Sequence, residues 1–396
     1  MRSSGRRFAI TRAAFVSTYP PRRCGIASFT HDLAAASGGG EIVALHPLGP
    51  AASYPLEVHH RIRKDELADY RQVAQSLNRC ADVVSIQHEY GIWGGQDGDS
   101  VIDFVAALRV PAVVTLHTVL REPTPRQRSV LVELIAVAEA AVVMSRSAAN
   151  LLISEYDVDP RHLQVIHHGV PNVPLVESAT VKPGLDVDGR DVILSFGLLG
   201  PGKGYELAIE ALPAVAAAHP DVLYVIVGAT HPDLVAREGE AYRQSLARRV
   251  EQLGMARHVR FVDRFVGRTE LVRWLEAADV FVTPYPNLGQ IVSGTLSYAM
   301  GAGRAIVSTP YTYAAELLAD GRGVLVPPGS AGALAAALGS LLADGERRAA
   351  IGARAHAYSR RMIWSAVGES YAELFARVAG SPMRVGVPAI AVPAHA

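Results

Sequence analysis

Short apolar runs alternate with amphipathic stretches along nearly the whole chain. The runs are rich in Val and Ile and lack polar alternation, which is typical of strands covered by helices on both faces. Amphipathic stretches of helical length separate them, for example 65–77, 126–138, 205–217 and 332–342. The strands predicted from the apolar runs are 13–17, 42–45, 83–86, 112–116, 141–144, 192–196, 223–227, 259–262, 280–282 and 305–307.

This alternation predicts an α/β fold of two Rossmann-like, doubly wound parallel-sheet domains that face an interdomain cleft. Residues 171–190 interrupt it with three prolines and no periodicity, so we take them as the linker. The N-terminal domain then covers 1–172 and the C-terminal domain covers 190–362. A final helix is predicted over 363–380, and the small, proline-rich residues 381–396 predict a loose tail.

Composition narrows the class of protein. Of 396 residues, 49% are hydrophobic and 19% are charged, so the chain can bury large cores. Its 38 basic residues balance 38 acidic ones, which argues against a nucleic-acid-binding protein. Two cysteines, Cys24 and Cys80, cannot form a disulfide scaffold. The most apolar run, 130–144, is broken by Glu133 and Glu139 and cannot span a membrane. We therefore expect a soluble cytoplasmic protein.

The first candidate site follows the first predicted strand, at 20–29. A proline pair and Gly25 predict a tight turn into a helix whose first backbone N–H groups are free. Such a helix start favours an anion by roughly 0.3–1 kcal/mol, and Arg22 adds positive charge. An ordinary strand-to-helix loop explains Gly25 equally well. Cys24 has no evident base partner and is interpreted as an inert small residue.

Two further strand ends in the same half carry polar side chains. His117 follows one apolar strand, while His88 and Glu89 follow another, and such positions face the ligand crevice of a parallel sheet. Each can hydrogen-bond a sugar hydroxyl, and His117 can also take a proton. A histidine satisfied in the core is the alternative for each imidazole. The sequence has no metal-ligand spacing, so we expect no metal site.

The second half has two loops at strand–helix junctions. The first, 196–204, contains Gly197 and puts Lys203 near a helix start, where an ammonium group can pair with a diphosphate. It matches neither the dinucleotide fingerprint nor the P-loop, and a glycine-rich surface turn is the alternative.

The second of these loops precedes the strand predicted at 305–307. Ser293 is a good helix cap, and Gly294 and Thr295 expose backbone N–H groups in the first turn. This pattern predicts a second anion site in the same half, although capping alone also explains Ser293. Gln290 precedes the helix and can both donate and accept hydrogen bonds.

In this order and spacing, the four segments resemble the retaining, sugar-nucleotide-dependent glycosyltransferases of family 4, also called group 1, which have the GT-B fold. The resemblance runs from about residue 11 to residue 378. It implies that the loop at 20–29 faces the reaction centre, that His117 contacts the transferred sugar, and that Lys203 binds the donor diphosphate. It also implies that the final helix crosses back to the N-terminal domain, which holds the acceptor side with Arg22, His88 and Glu89.

Three positions depart from the family pattern. The family has an Arg where this chain has Leu198, and two Glu residues where it has Gln290 and Tyr298. In the family, the first Glu meets donor-sugar hydroxyls and the second grips the nucleotide ribose. A hydrogen bond to a charged group contributes about 1.5–3 kcal/mol, so each lost contact weakens donor binding by roughly one to two decades. Arg264 and Arg268 are candidates to replace the missing positive charge.

The resemblance implies transfer of a hexose from a nucleoside diphosphate sugar to a hydroxyl acceptor, with retention and without a tightly bound cofactor or protein nucleophile. His117, Lys203 and Gln290 are the expected catalytic residues. The residues expected to bind the donor are Gly25, Gly197, Lys203, Gln290, Ser293, Gly294, Thr295 and Tyr298. A lipid-linked acceptor would bring peripheral membrane contact. The three departures favour one alternative, a catalytically silent GT-B-like protein that binds a sugar or a partner. A sugar phosphorylase or epimerase on the same fold is a third hypothesis, and the sequence does not indicate the oligomeric state.

Overall fold

Parallel strands form two separate sheets in the computed structural model, which describes residues 11–46 and 53–380. The chain divides into two units. One comprises the residues up to Ile166 together with those from Val367 onward, and the other comprises His167–Ala366. The predicted α/β class with two doubly wound parallel sheets is therefore confirmed. The tail predicted at 381–396 lies outside the described residues.

The first unit contains a seven-stranded sheet in the order β3-β2-β1-β4-β5-β6-β7. Its central strands are buried from end to end, which explains why they read as continuous apolar runs. The strand order reverses between β1 and β4, and ligands of such sheets bind at that switch point. The strands are β1 Ala13–Ser17, β2 Glu41–His46, β3 Val58–Arg63, β4 Val83–His88, β5 Ala112–Leu116, β6 Ala140–Val143 and β7 Leu163–Val165.

Within 11–46 and 53–166, five helices belong to this unit, and the sequence sets their starts. Thr124 caps α4 with a complete capping box, because its hydroxyl accepts from the Gln127 N–H and the Gln127 side chain accepts from the Thr124 N–H. Ser145 caps α5 in the same way through the Ala148 N–H. The helices are α1 Gly25–Ala36, α2 Leu67–Cys80, α3 Ser100–Ala106, α4 Pro125–Val137 and α5 Arg146–Tyr156.

The second unit contains a six-stranded sheet in the order β10-β9-β8-β11-β12-β13, with its switch point between β8 and β11. Its strands are β8 Asp191–Phe196, β9 Val222–Val227, β10 Val259–Val262, β11 Val280–Thr283, β12 Ala305–Ser308 and β13 Val324–Leu325. Its helices are α6 Tyr205–Ala218, α7 Pro232–Glu238, α8 Ala241–Gln252, α9 Arg268–Ala277, α10 Gly294–Gly301, α11 Thr312–Leu317, α12 Ala331–Ala343 and α13 Gly345–Ser359.

The proline-containing segment 171–190 belongs to the second unit, where it forms two short 3-10 turns. Lys182 anchors it, because its ammonium group donates to the carboxylate of Asp279 at 2.6 Å and both side chains are buried. The same carboxylate accepts from the Ser178 hydroxyl at 2.5 Å. A buried charge needs such partners, so this segment is fixed to its own unit by a specific polar cluster.

The last helix, α14, is Trp364–Ala379, and its residues from Val367 belong to the first unit. There Tyr371 is fully buried and hydrogen-bonds to Thr115 of β5 over 2.9 Å. Phe375 packs edge-on against Phe15 of β1 with ring centroids 6.0 Å apart. These contacts make α14 part of the first unit's core.

Candidate functional site

A glycine-rich loop connects β8 to α6 at the switch point of the second sheet. Gly204 closes this loop with φ at +70°, a region that favours glycine. A Cβ atom at Gly204 would lie only 2.0 Å from the carbonyl oxygen of Pro284. No other residue type fits this close approach, so Gly204 fixes where α6 begins and where the preceding residue, Lys203, projects its side chain.

Lys203 lies against an aromatic ring. Its Nζ is 4.6 Å from the ring centroid of Tyr285, in a cation–π contact. The Tyr285 hydroxyl is 2.9 Å from the Thr295 hydroxyl, which belongs to the first turn of α10. A single aromatic side chain therefore links the lysine to the start of α10.

The start of α10 has the features of an anion site. Ser293 caps the helix, since its hydroxyl accepts from the Leu296 N–H at 3.3 Å and lies 3.0 Å from the Thr295 hydroxyl. A Cβ atom at Gly197 would lie 3.4 Å from Thr295 Cγ2, so the glycine-rich loop approaches the same turn. Backbone N–H groups, hydroxyls and an ammonium group thus converge, and together they favour a group with several anionic oxygens.

The structure reveals a neighbour of this turn that the sequence did not indicate. His168 is half-buried, and loss of solvation lowers its pKa to about 4, so the imidazole is neutral. Its Nδ1–H donates to the Gly169 carbonyl at 2.8 Å. A Cβ atom added at Gly294 would lie only 2.8 Å from the Nε2 atom of His168. Close packing of His168 on α10 explains the glycine at the first helical position.

Gln290 and Tyr298, two of the three residues that differ from the family pattern, lie beside this turn. The side-chain amide of Gln290 donates to the Val292 carbonyl at 2.8 Å, which holds it in its own loop. Tyr298 lies between the rings of Phe196 and His168, with ring centroids 6.3 Å and 6.1 Å away. Burial raises the pKa of the Tyr298 hydroxyl, so this position presents a neutral aromatic group instead of a carboxylate.

The two arginines considered as replacements for the charge missing at Leu198 are on α9 and in the loop before it. Arg264 is held by Glu270, whose two carboxylate oxygens accept from its guanidinium at 2.7 and 2.5 Å. Arg268 is the first residue of α9. The bidentate pairing of Arg264 neutralises its charge locally, so Arg264 does not add a free positive group to the site.

In the first unit, the candidate residues lie at the ends of β1, β4 and β5, around the switch point. His117 follows β5, is mostly buried, and its Nε2–H donates to the Gln87 side-chain oxygen at 2.9 Å. Its ring packs edge-on against Phe29 of α1, with centroids 4.9 Å apart. The imidazole therefore has a fixed orientation at the strand end.

His88 and Glu89 differ sharply in their surroundings. His88 is completely buried, neither imidazole nitrogen has a hydrogen-bond partner among the described residues, and burial lowers its pKa to about 4. This position does not support the expectation that His88 binds an acceptor hydroxyl. Glu89 is partly exposed and accepts a short hydrogen bond from the Thr118 hydroxyl. Burial raises the pKa of this carboxyl group, the opposite direction to its effect on His88.

The loop after β1 leads into α1, which begins at Gly25 as the sequence predicts. The Cys24 thiol caps the helix by accepting from the Ala27 N–H at 3.3 Å. Gly25 is the first helical residue and is exposed, and no atom lies within 4 Å of where its Cβ would be. Arg22 is half-buried beside this turn. Cys24 thus has a structural capping role, and Gly25 leaves open space in front of the helix start.

The described residues contain neither a metal-binding cluster nor a membrane-spanning helix. Within 11–46 and 53–380, no group of three or more His, Cys, Asp or Glu side chains could hold a metal ion. In the same part of the chain, every helix is too short or too polar to cross a membrane.

Comparison with known families accounts for most of the chain. The sequence model of "Glycosyl transferases group 1" matches residues 179–358. The model of "Glycosyltransferase Family 4" matches residues 30–172. The second region contains every strand of the six-stranded sheet, and the first contains the strands of the seven-stranded sheet that follow β1.

Curated relatives include enzymes that act on inositol compounds. A phosphatidyl-myo-inositol mannosyltransferase of Mycolicibacterium smegmatis is 32% identical over 55% of this chain and 54% of its own length. A D-inositol 3-phosphate glycosyltransferase of Xylanimonas cellulosilytica is 30% identical over 68% of this chain and 66% of its own. The chain thus spans about half to two thirds of the length of these relatives.

Solved structures share the fold at low identity. Anabaena HepE in complex with UDP superposes with a TM-score of 0.75 at 18% identity, over 93% of this chain and 100% of that one. Sucrose-phosphate synthase from Thermosynechococcus elongatus gives 0.75 at 17% identity, over 93% and 99%. Both structural alignments cover nearly the whole of each chain.

Proposed function

Since the chain belongs to the group 1 glycosyltransferases of family 4, we propose that it transfers a hexose from a nucleoside diphosphate sugar to a hydroxyl acceptor, with retention at the anomeric carbon. The observation that carries this proposal is the convergence of Lys203, Tyr285 and the first turn of α10. An ammonium group and unpaired backbone N–H groups suit a diphosphate leaving group better than any neutral ligand.

The chemical role of this cluster follows from the charge that develops in the reaction. The bond between the anomeric carbon and the diphosphate oxygen breaks, and a bond to the acceptor oxygen forms on the same face. The acceptor proton passes to the departing diphosphate, so no protein nucleophile is needed. Lys203 and the N–H groups of α10 stabilise the negative charge that grows on the diphosphate. Gln290 contacts the hydroxyls of the donor sugar, and Tyr298 contacts the ribose of the nucleotide.

The acceptor side of the proposal rests on the first unit. His117 is held in one orientation by Gln87, and Glu89 offers a carboxylate at the next strand end. The open helix start at Gly25, with Arg22 beside it, completes the polar groups around the first switch point. We propose that these groups bind the hydroxyl acceptor and the transferred sugar.

The comparisons support particular choices of substrate. The HepE structures are described as complexes with UDP and with UDP and glucose, and the curated relatives act on phosphatidyl-myo-inositol or inositol phosphate. We therefore propose a nucleotide sugar as donor and a polyol or sugar as acceptor. A lipid-linked acceptor would require peripheral contact with a membrane. The two free thiols, Cys24 and Cys80, support a reducing, cytoplasmic location.

A donor screen tests the proposal. Thermal denaturation with UDP, GDP and ADP sugars identifies the donor, because a ligand at 100 times its Kd stabilises the folded state by about 2.7 kcal/mol. Release of the nucleoside diphosphate is then measured with and without polyol and sugar acceptors. The proposal requires stabilisation by at least one donor and acceptor-dependent release. Stabilisation without any release would favour the catalytically silent binding protein instead.

A further inference from the structure

The crossover from β9 to β10 contains two helices, and the first of them adds charge next to the glycine-rich loop. This short helix, α7, is followed by α8, which packs on α6 as an ordinary crossover helix does. Together with the loop, α7 borders an open cavity of about 310 Å³. Its polar lining includes Lys203, His231, Asp233 and Arg237, and Leu198 forms part of its apolar lining.

Backbone hydrogen bonds hold α7 against the loop. The Leu199 N–H donates to the Ala229 carbonyl at 2.9 Å, and the His231 N–H donates back to the Leu199 carbonyl at 2.8 Å. The Thr230 hydroxyl donates to the carboxylate of Glu240, at the start of α8. The residues that line the cavity from α7 are therefore positioned by the same loop that carries Lys203.

Arg237 is the cation of this helix. Its side chain is 71% exposed, and its one ion pair among the described residues is a 4.0 Å contact with the adjacent Glu238. Asp233 opposes it with one negative charge in the same lining. His231 accepts from the Asp233 N–H through Nδ1 at 3.3 Å, so the neutral imidazole carries its proton on Nε2 and can donate from there.

We propose that Arg237 supplies the positive charge that Leu198 lacks, and that its guanidinium binds the diphosphate of the donor from the α7 side of the glycine-rich loop. The inference rests on the proposed function, because it assigns a further contact to the same donor. Lys203 lines this cavity and also contacts Tyr285 on the α10 side. A diphosphate bound to Lys203 therefore lies within the reach of a flexible arginine on α7.

The size of the effect follows from exposure. An exposed ion pair contributes well below what a buried one does, so removing Arg237 should weaken diphosphate binding by about 3- to 10-fold rather than abolish it. Replacing Asp233 by Asn removes the opposing charge and should strengthen binding by about 2- to 3-fold. Opposite shifts from two neighbours in one cavity are specific to an anion held there.

Calorimetric titration with UDP, GDP, UMP and inorganic pyrophosphate tests the inference. The wild type is compared with Arg237→Gln, Asp233→Asn and the control Arg248→Gln, which removes an exposed arginine of α8 in the same unit. Thermal denaturation verifies that each variant is folded. We expect Arg237→Gln to weaken the binding of the nucleoside diphosphates and of pyrophosphate more than the binding of UMP. The control Arg248→Gln should change each Kd by less than about 1.5-fold.

Equal effects of Arg237→Gln and Arg248→Gln would overturn the assignment of Arg237 and leave the proposed function standing. Binding of pyrophosphate without binding of any nucleotide would count against the proposed function, while the response of pyrophosphate to Arg237→Gln would still decide the role of the cavity. Failure of the wild type to bind either kind of probe would overturn both.

Discussion

Removing the charge of Lys203 without removing its packing is the sharpest perturbation of the site. Lys203→Met keeps an unbranched apolar stem over the Tyr285 ring and loses only the ammonium group. Lys203→Arg retains a positive charge with a different geometry. The pair of variants therefore separates charge from shape at one position.

The expected loss follows from the contact that Lys203 makes with the diphosphate. A hydrogen bond to a charged group contributes about 1.5–3 kcal/mol, and about 1.4 kcal/mol corresponds to a factor of ten. Lys203→Met should therefore lower kcat/KM by about 10- to 150-fold. The charge matters most when the diphosphate departs, so kcat should fall along with affinity. Lys203→Arg should recover part of the loss.

The assay is release of the nucleoside diphosphate at several concentrations of the donor identified by the screen. Thermal denaturation serves as the control for folding, and Lys203→Met should stay near the wild-type Tm because the half-exposed ammonium group has no ion pair among the described residues. A loss in kcat/KM below about 2-fold would refute the role of Lys203 in stabilising the leaving group.

Three further predictions concern stability and pH. Gly294→Ala should push a methyl group into the His168 imidazole and cost about 1–3 kcal/mol of unfolding free energy in urea titrations, together with weaker donor binding by calorimetry. Lys182→Met should leave the Asp279 carboxylate buried without its cation and cost about 3–5 kcal/mol in the same titrations. Since the folded-state pKa of His88 is lowered from 6.5 to about 4, its neutral form contributes stability that is lost as pH falls through that window. His88→Leu should therefore reduce the slope of the unfolding free energy against pH between those values, with His168 still contributing its own part. An unchanged slope would contradict the assignment.

The sequence predicted the central strands of both sheets because these strands are buried on both faces. β1 and β5 lie at the predicted residues, and β4 extends two residues further, to His88. The edge strand β3 was missed since it reads VHHRIR and most of its residues are exposed or half-buried. A polar edge strand has no apolar run from which it can be predicted.

The second unit's site was partly predictable. Lys203 and Ser293 lie at loop-to-helix junctions, where the local sequence alone indicates free N–H groups and a cap. Tyr285 and His168 were missed because each is distant in sequence from the loop or helix start that it contacts. Their roles depend on tertiary contacts, such as the ring of Tyr285 beneath the ammonium group, which no local pattern encodes.

In the first unit, the sequence located the right strand ends but not the environments of their side chains. His88 and Glu89 are adjacent, yet one is completely buried and the other is partly exposed. His88 is the last residue of β4, whereas Glu89 lies in the loop that follows it. The sequence does not indicate where the strand ends or how the loop is covered, so this distinction required the structure.

The most direct test of the account is a crystal structure of the protein with its nucleoside diphosphate bound. The account predicts a phosphate oxygen within about 3.2 Å of Lys203 Nζ and another facing the backbone N–H groups of Gly294 and Thr295. A diphosphate bound elsewhere, with Lys203 still lying on Tyr285 and directed away from it, would contradict the central claim.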